Sequence, residues 1–227
     1  MSTIPLATDA AVHDAKLDGG LTAILSRRLT GKHDIDPWGL DPDVRALLQP
    51  LGVLRWRVDL DGVDLLPSGP ALLVHNQRFG VSERFVLASG ITRTLGRTTR
   101  PAGVADRALV GPTLNRIGVV SDDEADLRAL FRRGELVSVG LERLAANRFT
   151  AGRCPDRPLA AALAIGVPVV PVAVVGRELA RRWEIIVGAP IPTRQRGAQP
   201  TPTEVSINVR RRVGQLLEAA RRGRSIL

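Results

Sequence analysis

The run Ala71-Leu72-Leu73-Val74, which breaks into His75-Asn76-Gln77, constrains this chain more than any other segment. A short stretch of aliphatic side chains behind the turn Pro67-Ser68-Gly69-Pro70 has the pattern of a strand buried on both faces, and such strands belong to sheets covered by helices on each side. In an open α/β sheet the carboxyl ends of the strands deliver side chains to the crevice where ligands bind. A strand that ends in an imidazole and two amides puts proton donors and acceptors at that edge. His75 is therefore the first residue to interrogate.

The flanking sequence repeats the alternation of strand and helix. Asp36-Pro37-Trp38-Gly39-Leu40-Asp41-Pro42 marks a turn, with Asp41 as N-cap and Pro42 as first residue of a helix that Pro50 stops near Gln49. Residues 54–60 alternate apolar and polar, the period of a half-exposed edge strand. Residues 82–95, 107–116, 122–133 and 158–165 read as helices; 102–105, 118–120, 136–139, 168–174 and 183–187 read as strands. In 122–133, Ala125, Leu127, Leu130 and Phe131 fall at helical spacing, with acids at the start and bases at the end, as the helix dipole favours. A Pro-rich linker, 190–202, leads into a long basic helix striped by Val205, Val209, Val213, Leu216, Leu217 and Ala220. The order predicts an α/β fold: one αβα layered domain with a mixed, largely parallel sheet.

With 227 residues, 44% of them hydrophobic and 24% charged, the chain is expected to form one core, with residues 1–35 a flexible or partly helical leader, 36–192 the domain, and 193–227 the linker and terminal helix. A single cysteine, Cys154, excludes an internal disulfide, and the leader has no signal-peptide pattern, so a cytoplasmic location is expected. The uncharged stretch 159–176 approaches a membrane span in length, but Gly166, Pro168, Pro171 and Gly176 make it helix, turn and buried strand. The net charge of +9, with 30 of 32 basic residues arginine, favours a polyanionic surface, either nucleic acid or anionic lipid. Aromatic content of 3% without tyrosine weighs against nucleic acid, which is bound by stacking.

Residue inventory removes several chemistries. Gly31-Lys32 lacks the earlier glycine of a phosphate-binding loop, and no GxGxxG follows a strand. His13, His33 and His75 are the only histidines and none follows Ser82, so a hydrolase triad in its usual order is absent. Three scattered histidines and one cysteine offer no metal-ligand spacing, and no metal is expected. A histidine at a strand end with Glu83 as the nearest following carboxylate remains. An imidazole steadied by a carboxylate can take a proton from an alcohol and make it nucleophilic toward an activated acyl group, which is the logic of acyl transfer. The alternative is a strand-end histidine bonded to backbone.

Four segments in order then resemble the glycerolipid acyltransferase family typified by lysophosphatidic acid acyltransferases. They are Leu72 to Gln77 with the spacer to Glu83, where the family has a strand ending in Asn-His followed by an acid; 107–120; Gly134-Glu135-Leu136-Val137-Ser138-Val139-Gly140-Leu141-Glu142-Arg143; and Gly166-Val167-Pro168-Val169-Val170-Pro171 with the strand that follows. The resemblance covers about 36–192 and implies the αβα architecture. It also implies an acyl donor carried as a thioester on coenzyme A or acyl carrier protein, no bound cofactor, and a lysophospholipid or glycerol-phosphate acceptor at a membrane surface.

Two registers are open at the first block. Registration on the strand puts Asn76 over the family's asparagine and Gln77 over its catalytic histidine, and a glutamine cannot serve as general base; in either register Ser82 or Val81 falls where the family's aspartate belongs. A shifted register lets His75 act as base with Glu83 as its acid. By resemblance, Arg107 and Arg116 are phosphate-binding candidates, Glu142 and Arg143 lie at the acceptor pocket with Arg143 replacing a glycine, and Asn76, Gln77 and Arg78 line the substrate site; Arg84 adds positive potential. The functions expected are an O-acyltransferase peripheral to an anionic membrane, an inactive member of the fold that binds lipid or acyl groups or regulates a partner, or, more weakly, a basic nucleic-acid-binding protein.

Overall fold

The computed structural model describes residues 26, 29–31, 34–77, 82–103, 111–142, 152–177, 180–194 and 200–224. Among the described residues six strands form one sheet: β1 (Arg57–Asp61), β2 (Ala71–His75), β3 (Thr99–Pro101), β4 (Leu136–Gly140), β5 (Val169–Val175) and β6 (Arg182–Val187). Their order across the sheet is β1-β6-β5-β2-β4-β3. β2 runs parallel to β4 and β5, β3 parallel to β4, and β1 parallel to β6, while β5 and β6 are antiparallel. The mixed, mostly parallel sheet is the architecture expected from the alternation of elements.

Burial follows strand position. β2, β4 and β5 occupy the middle and are buried at every residue, as their unbroken aliphatic runs require. β1 lies at the margin and keeps its polar residues in solvent, with Val58 turned inward. Alternate residues of β2 feed two cores: Leu72 and Val74 pack with Leu127, Phe131, Leu159 and Val209 on one face, Ala71 and Leu73 with Val86, Leu87 and Ile91 on the other. The first core is supplied by helices α4 (Glu124–Arg132), α5 (Asp156–Ile165) and α6 (Pro202–Arg224), the second by α2 (Ser82–Leu95). The result is three layers, helices over both faces of the sheet.

Local signals account for the helix ends. Asp41 caps α1 (Pro42–Arg55) by accepting from Asp43 N and Val44 N, each at 3.1 Å, and Asp123 caps α4 through Ala125 N and Asp126 N. A reciprocal capping box opens α6: Thr201 N donates to Glu204 Oε2 at 2.8 Å and Glu204 N to Thr201 Oγ1 at 3.2 Å. Gly166 ends α5 at φ 80°, a left-handed conformation that favours glycine. The uncharged stretch 159–176 is helix, turn and strand as expected, and no helix of the described residues is long and apolar enough to cross a membrane. Cys154 is a buried free thiol.

Several boundaries differ from expectation, and the strand expected over 54–60 is β1 at Arg57–Asp61. α1 runs through Pro50 to Arg55; its packing against α2, where Arg45 donates to Thr92 Oγ1 at 2.8 Å, outweighs the local preference to stop. Ahead of the strand expected at 102–105, β3 spans Thr99–Pro101, where Arg100 is fully buried and ion-paired although an arginine reads as exposed; residues 104 and 105 lie outside the described residues. Residues 118–120 contribute one isolated bridge, Val120 to Ala102. The helix expected over 107–116 is described only at α3 (Gly111–Arg116). The leader 1–35 lies outside the described residues apart from 26, 29–31, 34 and 35.

Candidate functional site

The parallel run of β2, β3 and β4 brings three strand ends to one edge. His75 pairs with Gly140 on one side and Val172 on the other, and Pro101 pairs with Ser138. Beyond those pairs stand Asn76 and Gln77, Ala102, and Leu141 and Glu142. This is the edge at which an α/β sheet offers a crevice.

His75 is 1% exposed. Its Nδ1 lies 2.8 Å from the carbonyl oxygen of Asn76; a carbonyl only accepts, so the proton sits on Nδ1. Nε2 is buried and has no hydrogen-bond partner among the described residues. Burial lowers the pKa from 6.5 to about 4; the Asn76 carbonyl opposes that shift, and the positive charge of Arg84 adds to it. The ring is a neutral imidazole with a bare Nε2 lone pair.

Asn76 is 6% exposed and committed to the sheet. Its Oδ1 accepts from Val174 N at 2.7 Å, and its Nδ2 donates to Val174 O at 2.8 Å. The side-chain amide continues the β2–β5 ladder after the backbone of β2 has turned away, and it satisfies both polar groups of Val174. Both ends of its amide are thus engaged with backbone. Gln77 is half-buried with its side chain lying over Gly140, where any Cβ would collide with the amide. Glycine at the end of β4 is what admits that side chain.

The imidazole and carboxylate expected to act together are not hydrogen-bonded to each other. Glu83 is 2% exposed in the first turn of α2, yet the only hydrogen bond of His75 among the described residues is to Asn76, and the charge acting on the ring is that of Arg84 rather than of Glu83. No hydrogen bond joins His75 to Glu83, since helical geometry turns consecutive residues to different directions and the acid nearest in sequence need not face the ring. Arg84 is 7% exposed with Nη1 3.5 Å from Ala102 O, linking α2 to the end of β3. A guanidinium here disfavours an imidazolium, where general-base catalysis needs the opposite.

Arg116 is tied elsewhere. Its Nη1 lies 3.3 Å from Asp41 Oδ2, and its carbonyl accepts from Asp41 N at 3.1 Å, so it braces the start of α1. Glu142 is exposed just past β4, its N–H donating to Arg153 O at 2.8 Å. Arg78, Arg107 and Arg143 lie outside the described residues.

Sequence reading did not find the ion-pair cluster at the opposite edge, where Arg100 Nη1 meets Asp36 Oδ2 at 2.6 Å and Glu135 Oε2 at 3.6 Å. An arginine between a threonine and a proline carries no signal of burial. Only the intersection of three distant segments reveals it.

No family model matches the chain. Two uncharacterized mycobacterial proteins, Mb0514 of Mycobacterium bovis and Rv0502 of Mycobacterium tuberculosis, are each 28% identical over 192 residues, covering 75% of this chain and 53% of theirs. The chain thus spans about half the length of the curated relatives it matches. Among solved structures, the 1-acyl-sn-glycerophosphate acyltransferase PlsC from Thermotoga maritima superposes with a TM-score of 0.56 at 14% identity, covering 78% of this chain and 80% of that one. At that identity the likeness is one of fold: the six-stranded, mostly parallel sheet between helices is the architecture of that acyltransferase.

Proposed function

We propose that this protein uses an acyltransferase-like fold to bind an acyl thioester or a lysophospholipid at the β2–β4 edge, without transferring the acyl group through His75 and Glu83. The observation that carries the reading is the state of His75: buried, hydrogen-bonded to backbone, and facing an arginine's charge in place of a carboxylate's.

Acyl transfer would move the acceptor hydroxyl's proton to a base as its oxygen attacks the thioester carbonyl, and expel a thiolate that takes a proton back. The base must become cationic on the way. For an imidazole of pKa about 4 that protonation costs about 3 kcal/mol more than for an ordinary histidine at 6.5. In the other register Gln77 stands where a base belongs, and an amide does not take protons at neutral pH. The strand-end placement of polar groups and the likeness in fold support ligand binding, and the anionic ligand class is consistent with the net charge of +9.

A second reading, acyl transfer with His75 as base, is favoured by one observation: Nε2 is buried without a partner, the atom a bound acceptor hydroxyl would need. Incubation with acyl-coenzyme A and lysophosphatidic acid separates the two. The proposal predicts that equilibrium dialysis detects binding of one of these ligands while free thiol stays at the buffer level. It further predicts that restoring an Asn-His-and-acid pattern with Gln77→His and Ser82→Asp raises thiol release. Wild-type release abolished by His75→Gln would establish the second reading, and absence of binding to either ligand would overturn the first.

A further inference from the structure

A groove of about 650 Å³ lies between α6 and the sheet margin. Pro171 and Leu216 form its floor, and Asn208, Arg211, Arg212 and Gln215 its polar wall. It opens at the amino-terminal half of β5, where Gly188 N donates to Pro171 O at 2.8 Å; Asn76 bonds the other end of that strand, at Val174. Pro171 pairs with Val74 and His75 with the next residue, Val172, so groove and imidazole lie on opposite faces of the sheet, and nothing said of the groove depends on the function proposed for that edge.

Arg212 is held in place beside this groove. Its Nε donates to Asn208 Oδ1 at 3.3 Å and its Nη1 to Ala189 O at 3.4 Å, which leaves Nη2 to a ligand. Arg211 stands exposed one residue before it, and Arg210 and Arg222 extend the basic surface along the outer face of α6. Opposing acids on the helix are Glu204, occupied in its capping box, and Glu218. The apolar stripe that could have entered a bilayer is already in use, since Val205, Val209, Val213 and Ala220 are buried in the cores. Ile207, 58% exposed, is the large apolar side chain left on the outer face.

From this we infer that α6 docks on the surface of an anionic phospholipid bilayer, lying on the headgroups without insertion, with one headgroup phosphate taken between Arg211 and Arg212. Forked guanidinium donors suit phosphate oxygens, and the apolar floor beside them suits the adjoining glycerol carbons. Nucleic acid fits less well, because the groove wall offers no aromatic side chain on which a base could stack.

Flotation of the full chain with vesicles tests this. Vesicles of phosphatidylcholine and phosphatidylglycerol in equal parts should carry the protein up the gradient, more at low salt than at high, while pure phosphatidylcholine vesicles should not. Arg211→Gln with Arg222→Gln, both exposed, should weaken binding by about fivefold for each charge removed. The same charge change made elsewhere, Arg153→Gln with Arg182→Gln, should weaken it far less. Equal binding to both vesicle types would overturn the inference, as would equal losses from the two double variants, or retention on duplex DNA without vesicle binding.

Discussion

At the amino-terminal edge of the sheet Arg100 is fully buried and bonded at 2.6 Å to Asp36, with Glu135 3.6 Å away; at the carboxyl-terminal edge His75 is 1% exposed and bonded only to a carbonyl. The depth is the same and the outcome differs. Burial alone would raise the pKa of Asp36, yet the hydrogen bond from Arg100, the N–H groups of Leu40 and Trp38, and the arginine's charge together hold it below the ordinary value. Glu135 goes the other way: burial pushes it up, and the charge of Arg100 recovers only part. His75, with no carboxylate acting on it, stays neutral. Arg100 is held in an ion cluster by two acids, while the imidazole of His75, with a guanidinium's charge beside it, stays uncharged.

Removing one partner from the charged edge gives the largest effect. Arg100→Leu leaves Asp36 without its counter-ion and is expected to lower the free energy of unfolding in urea by about 3–5 kcal/mol, with much of that recovered by adding Asp36→Asn. A loss under about 1 kcal/mol would mean that the cluster is not an ion pair in solution. At the neutral edge the corresponding change is smaller: Asn76→Ala strips Val174 of partners for its N–H and C=O and should cost about 2–3 kcal/mol. Asn76→Asp should do worse than alanine, because a carboxylate oxygen would then face Val174 O. If aspartate proves better than alanine, the amide is not holding β5 and the comparison between the edges weakens.

Much of the fold was legible from local pattern. The aliphatic run of β2, the N-caps Asp41 and Asp123, and the valine stripe of α6 each state their element within a few residues, because period and capping are short-range properties. β3 was misplaced because Thr99 and Arg100 are buried by partners far along the chain. The site suffered in the same way. That His75 ends a buried strand could be read from sequence, but whether Glu83 faces it depends on the turn of α2 against the sheet, and the service of Asn76 to Val174 spans 98 positions. Chemistry that requires two side chains to meet is not written in either one.

The neutrality of His75 has a consequence for stability. Below the unfolded value of 6.5 the unfolded chain binds a proton that the folded state refuses until about pH 4. Stability attributable to this residue therefore falls as the pH drops through that window, by about 3 kcal/mol in full. The most direct measurement is an NMR titration of the imidazole nitrogens of the three histidines, with His75 identified by the signals lost in His75→Gln. The account predicts a midpoint near 4 and a proton on Nδ1 in the neutral form. A midpoint at or above 6.5 that falls on Glu83→Gln would show a carboxylate steadying the ring, and would contradict it.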